Sequence, residues 1–108
     1  MIEVHHRPTD ARFDVAVDGA VVGFAEYRDT DGVRAFVHTV VDRAFQGRGL
    51  AEKLVLHALN ETRREGRYVQ PFCSYVRDVI ARHDEYLDLV PQMSRSGFGL
   101  PEQRRRAV

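Results

Sequence analysis

The chain has 108 residues, which suffice for one domain with its own hydrophobic core and leave no room for a second. Its 16 acidic residues balance its 16 lysines and arginines, and this balance argues against a dedicated nucleic-acid-binding protein, whose surface is basic. The sequence has neither the apolar core of a signal peptide nor a run of about 20 apolar residues, so it predicts a cytoplasmic protein without a membrane anchor.

The first part of the chain has the alternating pattern of an antiparallel sheet. Phe13, Val15 and Val17 alternate with polar residues, and a turn at Asp18-Gly19 leads back into a second apolar run. After a further turn, β-branched and aromatic residues continue for the length of a strand. The predicted strands are an edge strand at Ile2 to Arg7, then Arg12 to Val17, Ala20 to Tyr27 and Val33 to Val41.

The second part of the chain changes to a helical period. From Gly49 to about Gly66, apolar residues recur at the three- and four-residue spacing of an amphipathic helix. A short strand at Tyr68 to Phe72 comes next, and a second amphipathic helix runs from Val76 to about Val90. Pro91 ends that helix because proline cannot continue it.

This order of elements predicts an α+β fold in which helices pack on a mainly antiparallel, mixed sheet. The strands on either side of the first helix are expected to run parallel, which places the start of that helix at their carboxyl ends. Residues 1–90 then form the single domain. Residues 91–108 hold glycine, proline and serine without a period and include Arg104 to Arg106, so they predict a flexible tail.

The turn from Gln46 to Ala51 joins the last of the first four strands to the first helix. Gly47 and Gly49 allow the backbone to turn tightly, and Leu50 begins a helix whose first N–H groups have no helical partner. Such N–H groups attract phosphate. The turn therefore predicts a ligand that carries phosphate, although glycine at these positions also suits an ordinary strand-to-helix connection.

Two further motifs flank this loop, and all three occur in a fixed order along the chain. The loop motif alone is moderately specific, and the three motifs in this order are far more specific than any one of them. They are an HT-x-V strand at His38-Thr39-Val40-Val41, a Gln/Arg-x-x-Gly-x-Gly/Ala loop at Gln46, Gly49 and Ala51, and a Cys-x-Tyr segment at Cys73-Ser74-Tyr75 followed by HPEY-like residues at His83-Asp84-Glu85-Tyr86.

On these motifs the chain resembles the GNAT superfamily of acyl-coenzyme A-dependent N-acyltransferases, specifically its small, minimal branch of the Cys-x-Tyr type. The resemblance covers about Phe13 to Val90, with Asp84 where that branch usually has proline. It implies a minimal GNAT-like fold and acetyl-coenzyme A (acetyl-CoA) as the acyl donor. The residues it assigns to cofactor binding are Thr39, Val40, Val41, Gln46, Gly47, Arg48, Gly49, Leu50 and Ala51.

The acceptor side is expected to be open, because only a short segment lies where typical members insert two helices between their first strands. The resemblance therefore implies an unidentified amine acceptor, such as a protein or peptide amine, or a pocket that a partner subunit completes. We expect a monomer or a homodimer that binds neither nucleic acid nor a membrane. His5 and His6 lack further ligands at metal spacing, so no metal site is predicted.

Four side chains are candidates for the chemistry that the resemblance implies. His38 can accept a proton from the amine, and Cys73 becomes a nucleophile if the start of the second helix stabilises its thiolate. Tyr86, with Tyr75 as its rival, can protonate the departing thiolate. Each of these residues also has an ordinary structural interpretation, as a buried polar residue, a small buried thiol or a core aromatic.

Three hypotheses for function follow. The first is an acetyl-CoA-dependent N-acetyltransferase that works by direct transfer or through an acyl-cysteine at Cys73. The second is a noncatalytic acyl-CoA-binding or regulatory module, which the lack of an evident general base favours. The third, a nucleic-acid binder that uses the arginine tail, fits poorly with the neutral net charge.

Overall fold

The computed structural model describes residues 1–104. Five strands form one sheet in the order β1-β2-β3-β4-β5, with the first four antiparallel to one another and β5 parallel to β4. This arrangement confirms the predicted α+β fold with a mixed sheet. The strands are β1 (Ile2–Arg7), β2 (Arg12–Val17), β3 (Ala20–Thr30), β4 (Val33–Val41) and β5 (Tyr68–Pro71).

Three α-helices and four short 3-10 segments complete the described fold. Among residues 1–104, no helix has both the length and the apolar character that crossing a bilayer requires. The helices are α1 (Leu50–Arg64), α2 (Ser74–Arg82) and α3 (Gln92–Arg95), and the 3-10 segments are Pro8–Asp10, Arg43–Phe45, Asp84–Leu89 and Ser96–Phe98.

The core lies between the helices and one face of the sheet, which we call the inner face. Helix α1 contacts all five strands, and α2 packs beside α1 and against β4 and β5. The apolar side chains of these elements form one buried cluster, which removes their surface from water and provides the main stabilisation of the fold. The buried residues of α1 are those that its helical period predicts: Leu50, Leu54, Val55, Ala58, Leu59 and Thr62.

Strand β4 has a bulge that decides which of its side chains face the helices. Phe36 and His38 pair with two consecutive residues of β3, so Val37 between them has no partner. A single extra residue inverts the alternation of side chains beyond it. Phe36 and Thr39 therefore both lie on the inner face, whereas His38 lies on the opposite face, which we call the outer face.

The second helix is shorter than the sequence predicts. Helix α2 ends at Arg82, because His83 has φ −121° and ψ 78° and leaves the helical conformation. The chain continues as the 3-10 segment, and Val79 and Leu87 on either side of the break are both buried. The apolar side chains of the predicted second helix thus stay buried on both sides of His83, although the backbone changes there from α-helical to 3-10 conformation.

The segment after Pro91 also differs from the flexible tail that the sequence predicts. Residues 92–98 form α3 and the last 3-10 segment, and the side chain of Leu100 is 5% exposed and belongs to the core cluster. One buried leucine anchors the segment without any repeated apolar pattern, so periodicity gives no sign of it. Of the predicted arginine tail, Arg105 and Arg106 lie outside the described residues.

Candidate functional site

The loop before α1 has the backbone conformation that the sequence predicts for an anion site. Gly47 and Gly49 have φ of 82° and 75°, in the left-handed region that other L-residues adopt only with strain. A Cβ atom on either residue would meet no heavy atom within 4 Å. The glycines are therefore required by the backbone conformation and not by lack of space.

The start of α1 offers free backbone donors to this loop. Gly49 is the N-cap, and its carbonyl accepts the N–H of Lys53 at 3.1 Å. The N–H groups of the three residues before Lys53, which are Leu50, Ala51 and Glu52, have no partner within the helix. They lie at the positive end of its dipole. Gln46 closes the other side of the loop by donating from Nε2 to the carbonyl of Val41 at 3.0 Å.

A cavity of about 400 Å³ joins this loop to the inner face of β4 and the first turn of α2. Its floor comes from α1, and Tyr75 closes the side formed by α2. Phe45, which the sequence analysis did not select, contributes an aromatic wall. The lining residues are Thr39, Val41, Phe45, Gln46, Gly47, Gly49, Leu50, Ala51 and Tyr75.

Strands β4 and β5 separate at the inner end of this cavity. Their last paired residues are Phe36 and Pro71, and the N–H of Cys73 donates to the carbonyl of Phe36 at 2.9 Å. Beyond that bond β4 continues to Val41, while the other chain turns away into α2. The edge of β4 from Val37 to Val41 thus faces a gap instead of a neighbouring strand.

Cys73 stands at this separation as the N-cap of α2. Its thiol is half-buried and free, and Sγ lies 3.4 Å from Oγ1 of Thr39. The thiol is therefore held across the gap from the strand that lines the cavity.

Charged side chains link the first turn of α1 to the end of α2. Glu52, in the first turn of α1, accepts hydrogen bonds from Arg82 and from Nε2 of His83, both at 3.0 Å. These two donors lower the pKa of Glu52 below its ordinary value.

Two of the four catalytic candidates lie away from the cavity. His38 is exposed on the outer face, with its ring centroid 6.2 Å from that of Phe24. Tyr86 is 8% exposed, and its hydroxyl donates to Oδ1 of Asn60 at 2.9 Å, in the distal half of α1. Of the four candidates, Tyr75 lines the cavity and Cys73 contacts Thr39 of its lining, whereas the other two side chains have different surroundings.

Two of the predicted cofactor-binding residues also do not line the cavity with their side chains. Val40 follows His38 in alternation onto the outer face, where it pairs with Phe24 of β3. The guanidinium of Arg48 lies 5.1 Å from the ring centroid of Phe45. Both residues still bring backbone groups to the loop and to the free edge of β4.

The sequence analysis missed Phe45, Glu52 and Arg82 for an identifiable reason. Phe45 occupies a 3-10 turn that has no period, and Glu52 and Arg82 are 30 residues apart in the sequence. Exposed charges on a helix usually mark only its solvated face, so nothing in the sequence pairs these two.

The chain matches a known family in sequence and solved proteins in structure. The family model described as GCN5-related N-acetyl-transferase matches residues 12–89. No curated protein gives a significant match.

Among solved structures, a GCN5-like N-acetyltransferase of Staphylococcus aureus has a TM-score of 0.63 and 20% identity, over 82% of this chain and 87% of that one. Ard1 of Thermoplasma volcanium has a TM-score of 0.51 and 22% identity, over 56% and 43%. N-acetylglutamate synthase of Neisseria gonorrhoeae, solved with coenzyme A and N-acetyl-glutamate, has a TM-score of 0.50 and 18% identity, over 61% and 18%.

The chain thus spans most of the first of these proteins and less than half of the other two. At these identities the structures show a shared fold and no more. The match to the family model, in contrast, extends from β2 to the 3-10 segment after α2. It includes the loop before α1, the gap between β4 and β5, and Cys73. On that match, the chain belongs to the GCN5-related N-acetyltransferase family.

Proposed function

We propose that the protein is an acetyl-CoA-dependent N-acetyltransferase whose donor site is the cavity between the loop and the free edge of β4. The observation that carries this proposal is the continuity of that cavity. It extends from the free N–H groups at the start of α1 to Thr39, whose hydroxyl contacts Cys73 across the gap. A phosphate group and a thioester at the two ends of one ligand fit this arrangement.

The residues at each end supply different interactions with acetyl-CoA. The N–H groups of Gly47 to Ala51 bind the pyrophosphate, where the positive end of the α1 dipole favours negative charge. The free edge of β4, at Thr39 to Val41, offers backbone groups to the pantetheine arm, in the manner of a missing strand. The cavity then holds the thioester close to Tyr75 and Cys73.

Direct transfer is the simpler mechanism in this site. The amine nitrogen forms a bond to the acetyl carbonyl carbon, and the carbon–sulfur bond breaks with its electron pair passing to sulfur. The thiolate takes up a proton, and the nitrogen loses its extra proton to water. The rival mechanism has two steps. The Cys73 thiolate first bonds to the acetyl carbon and the coenzyme A thiolate leaves; the amine then bonds to that carbon, the Cys73 thiolate leaves, and the nitrogen loses its extra proton to water.

The acceptor is an amine that reaches the gap from outside the cavity. Only the 3-10 segment Pro8–Asp10 lies between β1 and β2, so no helix inserted there restricts access to the site. We therefore propose a protein or peptide amine as acceptor.

Binding and turnover of the purified protein test this proposal. We expect coenzyme A and acetyl-CoA to bind in calorimetry, and acetyl-CoA to be consumed with one amine of a broad peptide and small-amine panel. Failure of both ligands to bind would refute the donor site. Mass spectrometry after incubation with acetyl-CoA alone separates the mechanisms, because an acetyl group on Cys73 is expected only in the two-step route.

One observation favours a second candidate, the noncatalytic acyl-CoA-binding module. The cavity lining contains no aspartate, glutamate or histidine, so no side chain there is an evident base for the amine. A base is not needed if the amine arrives neutral from solution. Tight binding of coenzyme A without turnover over the whole panel would identify the module instead of the enzyme.

A further inference from the structure

Strand β1 forms one edge of the sheet and has a free side. In the described part of the chain it pairs only with β2, over all six of its residues and without a bulge. The N–H of Asp18 donates to the carbonyl of Met1 at 2.9 Å at the end of this ladder. Hydrogen-bonded pairs alternate along an antiparallel ladder, so the odd-numbered residues of β1 bond to β2. The N–H and C=O groups of Ile2, Val4 and His6 therefore point away from the sheet.

The two edges of the sheet differ in how well they are protected. Edge strands are commonly kept short or interrupted by proline, because their unpaired backbone groups attract other strands. Strand β5 has four residues, includes Pro71, and shares a cavity with the segment after Val90 through Tyr68. Strand β1 has six residues and no proline. It is therefore the edge that remains open to a further strand.

The side chains of β1 separate into an inner and a charged outer row. Val4 packs against the core cluster, and the ring of His6 stacks on a core phenylalanine. Because side chains alternate along a strand, Glu3, His5 and Arg7 lie on the outer face. All three are exposed. The outer row thus begins with an acidic residue and ends with a basic one.

An antiparallel copy of β1 fits this edge best in one register. A two-fold axis through Val4 places it opposite the partner's Val4, and places Ile2 opposite the partner's His6. All the outward-pointing N–H and C=O groups of both strands are then paired. A slip of two residues in one direction brings Glu3 opposite the partner's Glu3. A slip in the other direction brings Ile2 opposite Pro8, which has no N–H.

The same register makes the charges of the two copies complementary. Glu3 lies directly opposite the partner's His5, in a pair without backbone hydrogen bonds whose Cα atoms are about 4.5 Å apart. The partner's Arg7 is a diagonal neighbour on that face, within reach of a long side chain. Arg7 is 51% exposed, so its guanidinium can reach a second carboxylate besides Asp14, which is 3.4 Å away. The two-fold axis repeats this cluster.

We propose that the free edge of β1 binds β1 of a second copy of the chain, so that two five-stranded sheets join into one continuous sheet. The occupant is a second copy because the edge is complementary to its own reverse, in backbone groups and in charge. The cavity beside β4 lies across the sheet from β1, so both copies keep an open donor site. The proposal goes beyond the proposed function and does not depend on it.

Sedimentation velocity over a concentration series tests for this dimer. We expect a reversible dimer that increases with protein concentration. Glu3→Arg and His5→Glu each bring like charges opposite one another twice in the dimer, and each should weaken it about tenfold. Arg28→Glu, at an exposed residue of β3 away from the edge, should have no effect. A monomer at every concentration up to about 1 mM would refute the proposal.

The double variant Glu3→Arg, His5→Glu tests the register. It restores opposite charges across the two-fold axis, so its dimer affinity should return to within about threefold of that of the unsubstituted protein. The melting temperatures of the three variants should stay close to that of Arg28→Glu, because the substituted side chains are exposed. A double variant whose loss of affinity is the sum of the two single losses would overturn the register.

Amide hydrogen exchange locates the interface without any substitution. In dilute protein the N–H groups of Val4 and His6 should exchange quickly, whereas those of His5 and Arg7 are bonded to β2 and should be protected. As the dimer forms, Val4 and His6 should become protected as well. A dimer in which they stay unprotected would refute this interface. Failure of coenzyme A to bind would refute only the proposed function, since the dimer does not involve the cavity.

Discussion

Arg34 is a charged side chain in the middle of an apolar core. It is 1% exposed on β4 and donates to Asp29 at 2.8 Å and to Glu65 at 3.0 Å. Its guanidinium carbon also lies 4.1 Å from the ring centroid of Tyr27. Burial of a cation is costly, and these two carboxylates with the aromatic face offset that cost. The ion pairs join the β3–β4 hairpin to the end of α1.

Replacing Arg34 by leucine is expected to lower the free energy of unfolding by about 3 kcal/mol. The leucine fills the space, but Asp29 and Glu65 lose their buried cation and keep only the half-buried Arg67, at 3.7 Å and 3.3 Å. Urea denaturation measures the change, with Arg64→Leu as the control, since Arg64 is 75% exposed and only weakly paired. Equal stability of the two variants would show that the buried ion pairs are not needed.

His6 extends the same cluster to the edge strand β1. Nε2 lies 2.6 Å from the Tyr27 hydroxyl, and the ring stacks on Phe13 with centroids 4.1 Å apart. Burial, together with the charge of Arg34, lowers the pKa of His6 below its usual value. The carboxylates of Glu65, Glu61 and Asp29 act in the opposite direction but do not outweigh it.

The lowered pKa of His6 predicts how stability depends on pH. The folded state disfavours the protonated His6 ring. The contribution of neutral His6 to stability is therefore present above the ordinary histidine pKa and is lost as pH falls through the lower pKa of the folded state. We expect the free energy of unfolding to decrease as pH is lowered from about 7.5 to about 5.5. The free energy of unfolding of His6→Gln should decrease less over that range. His5→Gln, at an exposed neighbour, should keep the original dependence; identical curves for the two variants would contradict the assignment.

At the scale of the elements, repeated patterns were predictable and single irregular residues were not. The strands, α1 and the parallel pair of β4 and β5 all follow from alternation or helical period, which many residues determine together. The bulge at Val37 depends on one unpaired residue and cannot be read from a run of apolar side chains. It nevertheless decides that Thr39 enters the cavity and that His38 does not.

The loop before α1 yields a prediction that separates backbone conformation from packing. Gly49→Ala places a Cβ at φ 75°, which costs about 1–2 kcal/mol, although there is open space around it. A loop that relaxes to avoid this strain redirects its N–H groups away from the bound phosphate. We therefore expect calorimetry to show about tenfold weaker binding of coenzyme A, equivalent to about 1.4 kcal/mol.

Gly97 provides the matched control for Gly49. A Cβ atom on Gly97 would likewise meet no heavy atom within 4 Å, but the φ of this residue is not in the left-handed region. Gly97→Ala should therefore change neither the melting temperature nor the affinity for coenzyme A. Unaltered affinity in Gly49→Ala would show that the ligand does not depend on this conformation of the loop.

At the scale of the whole molecule, the site is assembled from parts that are distant in the sequence. The loop motif and the Cys-x-Tyr motif were each recognisable, and their order predicted the donor site. The contact of Cys73 with Thr39 and of Arg82 with Glu52 required the sheet and both helices to be in place. Residue pairs of this kind are fixed by tertiary packing, so local sequence reasoning cannot supply them.

The segment after Pro91 belongs to the folded domain through one side chain, and its substitution tests this directly. Leu100 is 5% exposed in the core cluster, so Leu100→Ala should lower the free energy of unfolding by about 2–3 kcal/mol through lost burial and a cavity. Met93 on α3 is 92% exposed, and Met93→Ala should change it by less than about 0.5 kcal/mol. Urea denaturation compares the two, and equal stabilities would mean that residues 91–100 do not contribute to the core. A large loss for Leu100→Ala alone would instead extend the domain at least to residue 100, beyond the boundary at residue 90 that the sequence predicts.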